Sequence, residues 1–209
     1  KSQKWIGQLP EAEATFARAA GELTWLRRVL PPDKQDLALV YRSNLHRAWS
    51  EHMQVLDRHE KVVELLAVSV DDLQAAIVRN PSSALLKRGL IADTLCLSRS
   101  LLLLANWSGA VRNAELSLSV TRALIGPNPP LREQARLIPP IIQLADILHR
   151  AAAPHKDIPR ALALDREAIV MAEKLVAADA ANARNQFMLS NLLSGYGEHL
   201  RADWQWPEA

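Results

Sequence analysis

Residues of one kind return along this chain at a nearly constant interval, and an interval of that size admits few folds. Ala12, Val62, Ala110, Ala161 and Ala209 stand 50, 48, 51 and 48 residues apart. Nineteen residues after the first four of them come Pro31, Pro81, Pro129 and Ala180, and the last three of these follow Asn80, Asn128 and Asp179. Proline has no N–H and pushes the residue before it out of the helical region, so an Asx-Pro pair ends a helix. Each unit therefore closes with a helix of constant length. A fixed period of this kind belongs to stacked units that share one extended core. The expected fold is all-α, an α-solenoid of antiparallel helical hairpins with a repeat of 48–51 residues.

Composition agrees with helices. Hydrophobic residues make up 49% of the chain and aromatics only 5%, with 7 glycines, which leaves little of the β-branched and aromatic chemistry of strands. The 25 basic and 23 acidic residues balance to a net +2, so neither nucleic acid nor direct membrane insertion is expected. Arg27-Arg28 and Lys87-Arg88 read as solvated helix faces. The single cysteine, Cys96, excludes an internal disulfide and lies in an apolar run as a small buried hydrophobe. Leu101 to Ala105 is too short an apolar run to span a bilayer. The chain starts at Lys1 without methionine and reads as a piece of a longer protein. A cytoplasmic setting is expected, or a periplasmic one where the segment follows a transmembrane span.

Helix starts recur just before each anchor. Leu9-Pro10-Glu11-Ala12, Ile158-Pro159-Arg160-Ala161 and Trp206-Pro207-Glu208-Ala209 share one pattern, and proline is tolerated in a first turn because those N–H groups have no intrahelical partner. Asn106 and Asp157 are N-cap candidates, and Asp57 with Glu60 resembles a capping box. The second helix of each unit is expected over about 8–29, 58–79, 107–126 and 158–178. First helices fill about 35–56, 83–105, 131–153 and 182–202. Pro139-Pro140 breaks the third of these into a short turn over 131–138 and a fresh start near Pro140. Short connections make successive helices antiparallel neighbours. The whole reads as one domain, with a half unit over 1–34, units over 35–82, 83–130 and 131–181, and a half unit over 182–209. Half units lack a capping face and are expected to expose apolar surface, with Trp204 and Trp206 near one such end.

Small residues fall where two helices would cross. Ser50, Val62 and Ser69 form one triple, Ser98, Ala110 and Ser117 the next, and His149, Ala161 and Ala168 the third. Gly197 with Ala209, and Ala12 with Ala19, are parts of two more. Bulky Trp49, Leu97, Leu148 and Tyr196 precede the first small position. This layout, clearest over Pro159 to Ala183, resembles the tetratricopeptide repeat family, whose hairpins use the same spacing of 12 and then 7. The resemblance implies a right-handed superhelix of hairpins that binds protein or peptide partners. The repeat departs from the family's usual 34 residues by about 14, which implies about two extra turns on the second helix. Val62 and His149 occupy small-residue slots, and wider crossings are expected there. Long-helix repeats of this kind also resemble regions that follow the catalytic domain of some bacterial serine/threonine protein kinases, which implies a regulatory segment, with a homodimer as one form.

Chemistry is sparse. The chain has no phosphate-binding glycine loop, no nucleophile elbow and no HExxH helix, so neither a catalytic residue nor a cofactor is expected. His46, His52 and His59 are spaced by 6 and 7 with a turn between, and His149 and His155 flank a loop; no metal site is assigned to them. Asp71-Asp72, and Glu51 near Asp57, read as surface charge rather than as catalytic dyads. Trp107 and Trp206 sit three residues before an anchor and staple hairpins. Trp5, Trp25 and Trp49 have no such equivalents and are free to serve a partner surface.

The first helices are expected to line a concave side. Counting back from the anchors puts Asn44, Arg47, Glu51 and Gln54 there in the first complete unit. Arg99 follows between Leu95 and Leu102, then Gln143, Asp146 and Arg150, then Asn191, Ser194, Glu198 and Arg201. Arginine offers a planar fork for a carboxylate and asparagine pairs with peptide backbone. A non-catalytic scaffold holding a protein or peptide in this groove is the functional expectation; a face closed on itself by internal Arg–Glu pairs is the alternative.

Overall fold

A computed structural model describes residues 9–203. They form nine α-helices and one 3₁₀ turn, and no strand occurs among the described residues. The chain divides into two compact units, residues 1–100 and 101–209. Trp5, Trp204, Trp206 and Ala209 lie outside the described residues.

The first unit contains α1 (Leu9–Val29), α2 (Pro32–Val55), α3 (His59–Arg79) and most of α4 (Ala84–Leu103). α1 packs on α2 and α2 on α3. Val62, Leu66, Leu73 and Ala76 of α3 are completely buried, and so are Met53 of α2 and Leu86 of α4. The helix breaks fall at the prolines: α1 stops before Pro31, which is the N-cap of α2, and α3 ends on Asn80 just before Pro81. The start of α3 differs from expectation. Asp57 adopts φ +58 and Arg58 is the N-cap, with no side-chain cap, so the Asp57–Glu60 capping box does not form. The Asp57 carboxylate instead meets His59 Nε2 at 3.1 Å.

The second unit contains α5 (Trp107–Ile125), α6 (Leu131–Gln134), a 3₁₀ turn (Ala135–Leu137), α7 (Ile138–Arg150), α8 (Ile158–Ala178) and α9 (Ala183–Asp203). α5 packs on α7, α7 on α8 and α8 on α9. Both N-caps expected here form: the Asn106 side chain accepts from the Gly109 N–H at 3.0 Å, and Asp157 accepts from the Arg160 N–H at 3.1 Å. Pro139 and Pro140 lie in the first turn of α7, where a missing N–H costs nothing, and the chain reaches them through the 3₁₀ turn. α5 ends four residues before Pro129, at Gly126, which takes φ +76, a backbone conformation open to glycine.

Helices one repeat apart lie side by side within each unit. In the first, Arg58 of the α3 N-cap meets Glu13 of α1 at 2.7 Å and Arg27 of α1 meets Asp72 of α3 at 3.1 Å. In the second, Arg160 of α8 meets Glu115 of α5 at 2.8 Å and Arg122 of α5 meets Glu167 of α8 at 3.2 Å. Each pair spans 45 residues of sequence. Exposed pairs like these contribute about 0–1 kcal/mol each, so they mark the register more than they stabilise it. First helices meet in the same way, through Arg47–Asp93 and Gln54–Ser100 in the first unit and His149–His199 in the second. This sequential pairing is consistent with a helical-repeat arrangement.

The small crossing positions are core. Val62, Ala110, Ala161, Ser98, Ser117 and Ala168 are fully buried, and Ser50 and Ser69 nearly so. His149 is half-buried and stacks on a ring of α9.

Candidate functional site

Each residue proposed for the groove lies on a first helix, α2 or α4 in the first unit and α7 or α9 in the second. On α2, Asn44 and Glu51 are exposed while Arg47 is half-buried. Arg47 is already committed: its Nη1 donates to Asp93 at 3.1 Å and its Nη2 to the Asn44 side chain. Gln54 donates to Ser100 at 3.3 Å. Arg99 of α4 is exposed and makes no ion pair among the described residues, whereas Leu102 is buried. On α7, Gln143 and Asp146 are half-buried, and exposed Arg150 pairs with Asp146 at 3.4 Å. On α9, Asn191, Ser194, Glu198 and Arg201 are all exposed. Two of these four arginines are thus held by neighbouring acids, while among the described residues Arg99 and Arg201 have no such partner.

Beneath the α2 face lies a buried polar knot that the sequence reading did not single out. Asp93 of α4 is completely buried and accepts from Ser43 Oγ at 2.7 Å, Ser69 Oγ at 2.5 Å and Arg47 Nη1 at 3.1 Å. Two helices, α2 and α3, contribute donors to one carboxylate of α4. Burial pushes the Asp93 carboxyl above the usual range, and the two serines and Arg47 offset only part of that push. Alongside it, Asp72 joins Arg42 and Arg27, and Arg42 also donates to Thr24 Oγ1 at 3.2 Å. Asp72 is therefore an anchor between α1, α2 and α3 rather than free surface charge, while Asp71 is exposed. The inward stripe of α2 also carries His46 Nδ1, Trp49 Nε1 and Ser50 Oγ, buried and without a hydrogen-bond partner. Burial, reinforced by Arg42, lowers the His46 pKa.

Trp49 is a correction to the partner-surface reading. It is 6% exposed and stacks on Phe16 at 5.3 Å between ring centroids, with the Lys61 ammonium 6.0 Å from its ring. Trp25 is 57% exposed. Cys96 is half-buried rather than fully buried, and burial raises its thiol pKa.

In the second unit the structure brings together His149 of α7, Asp165 of α8 and His199 of α9. His199 Nδ1–H donates to Asp165 at 2.6 Å, and the His149 and His199 rings stack at 4.2 Å. The hydrogen bond to Asp165 raises the His199 pKa; burial, with His199 itself next, lowers that of His149. His155, which the sequence places near His149, is not part of this cluster. Among the described residues no hydroxyl or thiol hydrogen-bonds to His199 to complete the Asp–His pair. Among the described residues no group of three or more His, Cys, Asp or Glu side chains is arranged to hold a metal.

Two hollows accompany these features. One of about 470 Å³ lies against α1 and is lined by Glu11, Ala12, Thr15, Phe16, Ala19 and Leu45. Another of about 450 Å³ lies between α6, the end of α8 and the start of α9, with Arg132, Asp179 and Arg184 on its walls. Neither is lined by His149 or His155.

Among the described residues no helix is long and apolar enough to cross a membrane. No protein-family model, no curated protein and no solved structure matches the chain. The architecture therefore defines the class: an all-helical protein of sequentially packed helix pairs, of a kind compatible with a protein-binding scaffold.

Proposed function

We propose that this segment is a non-catalytic, tetratricopeptide-like interaction scaffold that binds an extended protein or peptide partner along its first helices. The observation that carries the reading is that Arg99 of α4 and Arg201 of α9 are exposed and lack an acidic partner among the described residues. A guanidinium without an internal partner is available to a carboxylate of the ligand. Arg47 and Arg150 are each bonded to an acid of their own unit and are less available to a ligand. The scaffold needs no cofactor or metal.

The test uses fluorescent acidic peptides with free or amidated C-termini, followed by anisotropy. The scaffold reading expects binding that weakens at least tenfold in Arg99→Glu plus Arg201→Glu, a loss of about 1.4 kcal/mol or more. Affinity unchanged by that double substitution discards the face as the binding site.

A second reading makes the segment a regulatory part of a larger bacterial signalling protein, such as a serine/threonine kinase. The exposed Leu193 and Leu200 of α9 favour it, because apolar side chains left in water invite association.

A further inference from the structure

The second compact unit holds a hollow where a first helix is broken. Pro139 and Pro140 open a new helix, so the chain before them runs as α6 and a 3₁₀ turn instead of one continuous rod. A space of about 450 Å³ lies between that broken stretch, the end of α8 and the start of α9. Its walls come from residues 131–188, all within this unit and away from the ends of the described chain. Leu175 in the wall is buried, and Leu131, Ala135 and Met188 are half-buried, so much of the lining is apolar. Small-molecule sites have this character: about 300–1,000 Å³, largely apolar, with a few placed polar groups.

Most polar groups of these walls are already used. Asn182 Nδ2 donates to Asp179 at 3.1 Å, and Asn182 Oδ1 accepts from the N–H groups of Arg184 and Asn185 at 3.1 and 3.3 Å. The Asn185 side chain donates to the Leu175 carbonyl at 3.3 Å. Arg132 and Arg184 differ. Both line the hollow and are exposed, and neither guanidinium has a hydrogen bond or an ion pair among the described residues. Arg132 lies three residues after Pro129, and Arg184 four after Ala180. The matching places after Pro31 and Pro81 in the first unit hold Lys34 and Leu85. The pair of guanidinium groups therefore belongs to this hollow and not to the repeat. Asp179 is the acid on the wall, so the hollow keeps one net positive charge.

We propose that this hollow binds a small organic monoacid, a carboxylate carried on an apolar body. The guanidinium groups of Arg132 and Arg184 offer planar forks to the carboxylate. Leu131, Leu175 and Met188 take the body out of water. One net positive charge matches one negative charge; a dianion such as phosphate brings a second charge against Asp179 and has no apolar surface to bury. An uncharged ligand leaves both arginines without a partner. The bound acid bridges α6 and the start of α9, which meet across the hollow. This inference does not rest on the peptide-binding reading, which uses Arg99 and Arg201.

The experiment is isothermal titration calorimetry with octanoate, beside octanol, which has the body without the charge, and inorganic phosphate, which has charge without the body. Octanoate is expected to bind at least tenfold more tightly than either. Arg132→Gln plus Arg184→Gln changes two exposed side chains and is expected to weaken octanoate at least tenfold, with the helical circular dichroism unchanged. Asp179→Asn keeps an acceptor for Asn182 and removes the opposing charge, so octanoate is expected to bind about threefold more tightly. Arg99→Glu plus Arg201→Glu is expected to leave octanoate binding as it was, which separates this site from the peptide face. A chain that takes up no octanoate at millimolar concentration overturns the proposal. So does affinity that survives the Arg132 and Arg184 substitutions, octanol or phosphate bound as tightly as octanoate, or weaker binding in Asp179→Asn.

Discussion

Asp93 is held by two hydroxyls and a guanidinium, and the cost of removing each group depends on what is left behind. Ser43→Ala takes away a donor that Asp93 uses, and a loss of about 1–2 kcal/mol in urea unfolding is expected. Ser50→Ala removes a buried hydroxyl that bonds to nothing and keeps the small crossing residue, so stability is expected to hold or rise. Equal losses for the two would contradict the knot. The repeat itself exposes Asp93 as an exception: the equivalent slots hold Leu45, Leu144 and Leu192. Asp93→Leu restores that pattern yet strands Ser43, Ser69 and Arg47, and about 3 kcal/mol should be lost. Asp165 likewise stands where other units have Phe16, Leu66 and Ala114. Both buried acids were therefore legible as charges in apolar slots. Their partners were not, because Ser43, Ser69 and His199 reach them from other helices. Trp49 failed as a surface residue for a related reason: it precedes the small residue of a crossing, a place where bulky side chains fill the groove.

At the scale of the element, local chemistry sets the ends and packing sets the rest. Asn106→Ala should cost about 1 kcal/mol through the lost Gly109 contact, measured by urea unfolding. Helices closed by Asx-Pro or opened by Asx caps were readable within a few residues. The start of α3 was not, since Asp57 is drawn to His59 in a left-handed conformation that sequence spacing does not encode. α9 adds a pH dependence through His199, Asp165 and His149, with Asp146, Lys156 and Glu198 around them. His199 is raised from its ordinary 6.5, so its support for α9 is complete below 6.5 and is lost as pH rises through its folded value. His149 is lowered, so as pH falls from 6.5 the detached state takes up a proton that the docked state refuses, and docking weakens again. Amide exchange of α9, corrected for intrinsic rates, should be slowest near 6.5. Asp165→Asn should remove the alkaline arm and His149→Ala the acidic one; a flat profile in the wild type would contradict the coupling.

For the molecule as a whole, the 49-residue period decides which surfaces are core and which are left open. Stability in stacked repeats comes from each hairpin and its neighbours, so it is distributed unevenly along the chain. α3 and α8 have neighbours on both sides, through α1 and α2 in one unit and α5, α7 and α9 in the other. α1 is held mainly by α2 and α9 by α8, and Ala12, Phe16 and Ala19 of the one stay half-buried while Leu193, Gly197 and Leu200 of the other are exposed. Native-state hydrogen exchange at low protein concentration measures this directly, helix by helix. The account predicts strong protection in α3 and α8 and weak protection in α1 and α9. Uniform protection across all four helices, as in a bundle that opens only as a whole, would contradict it.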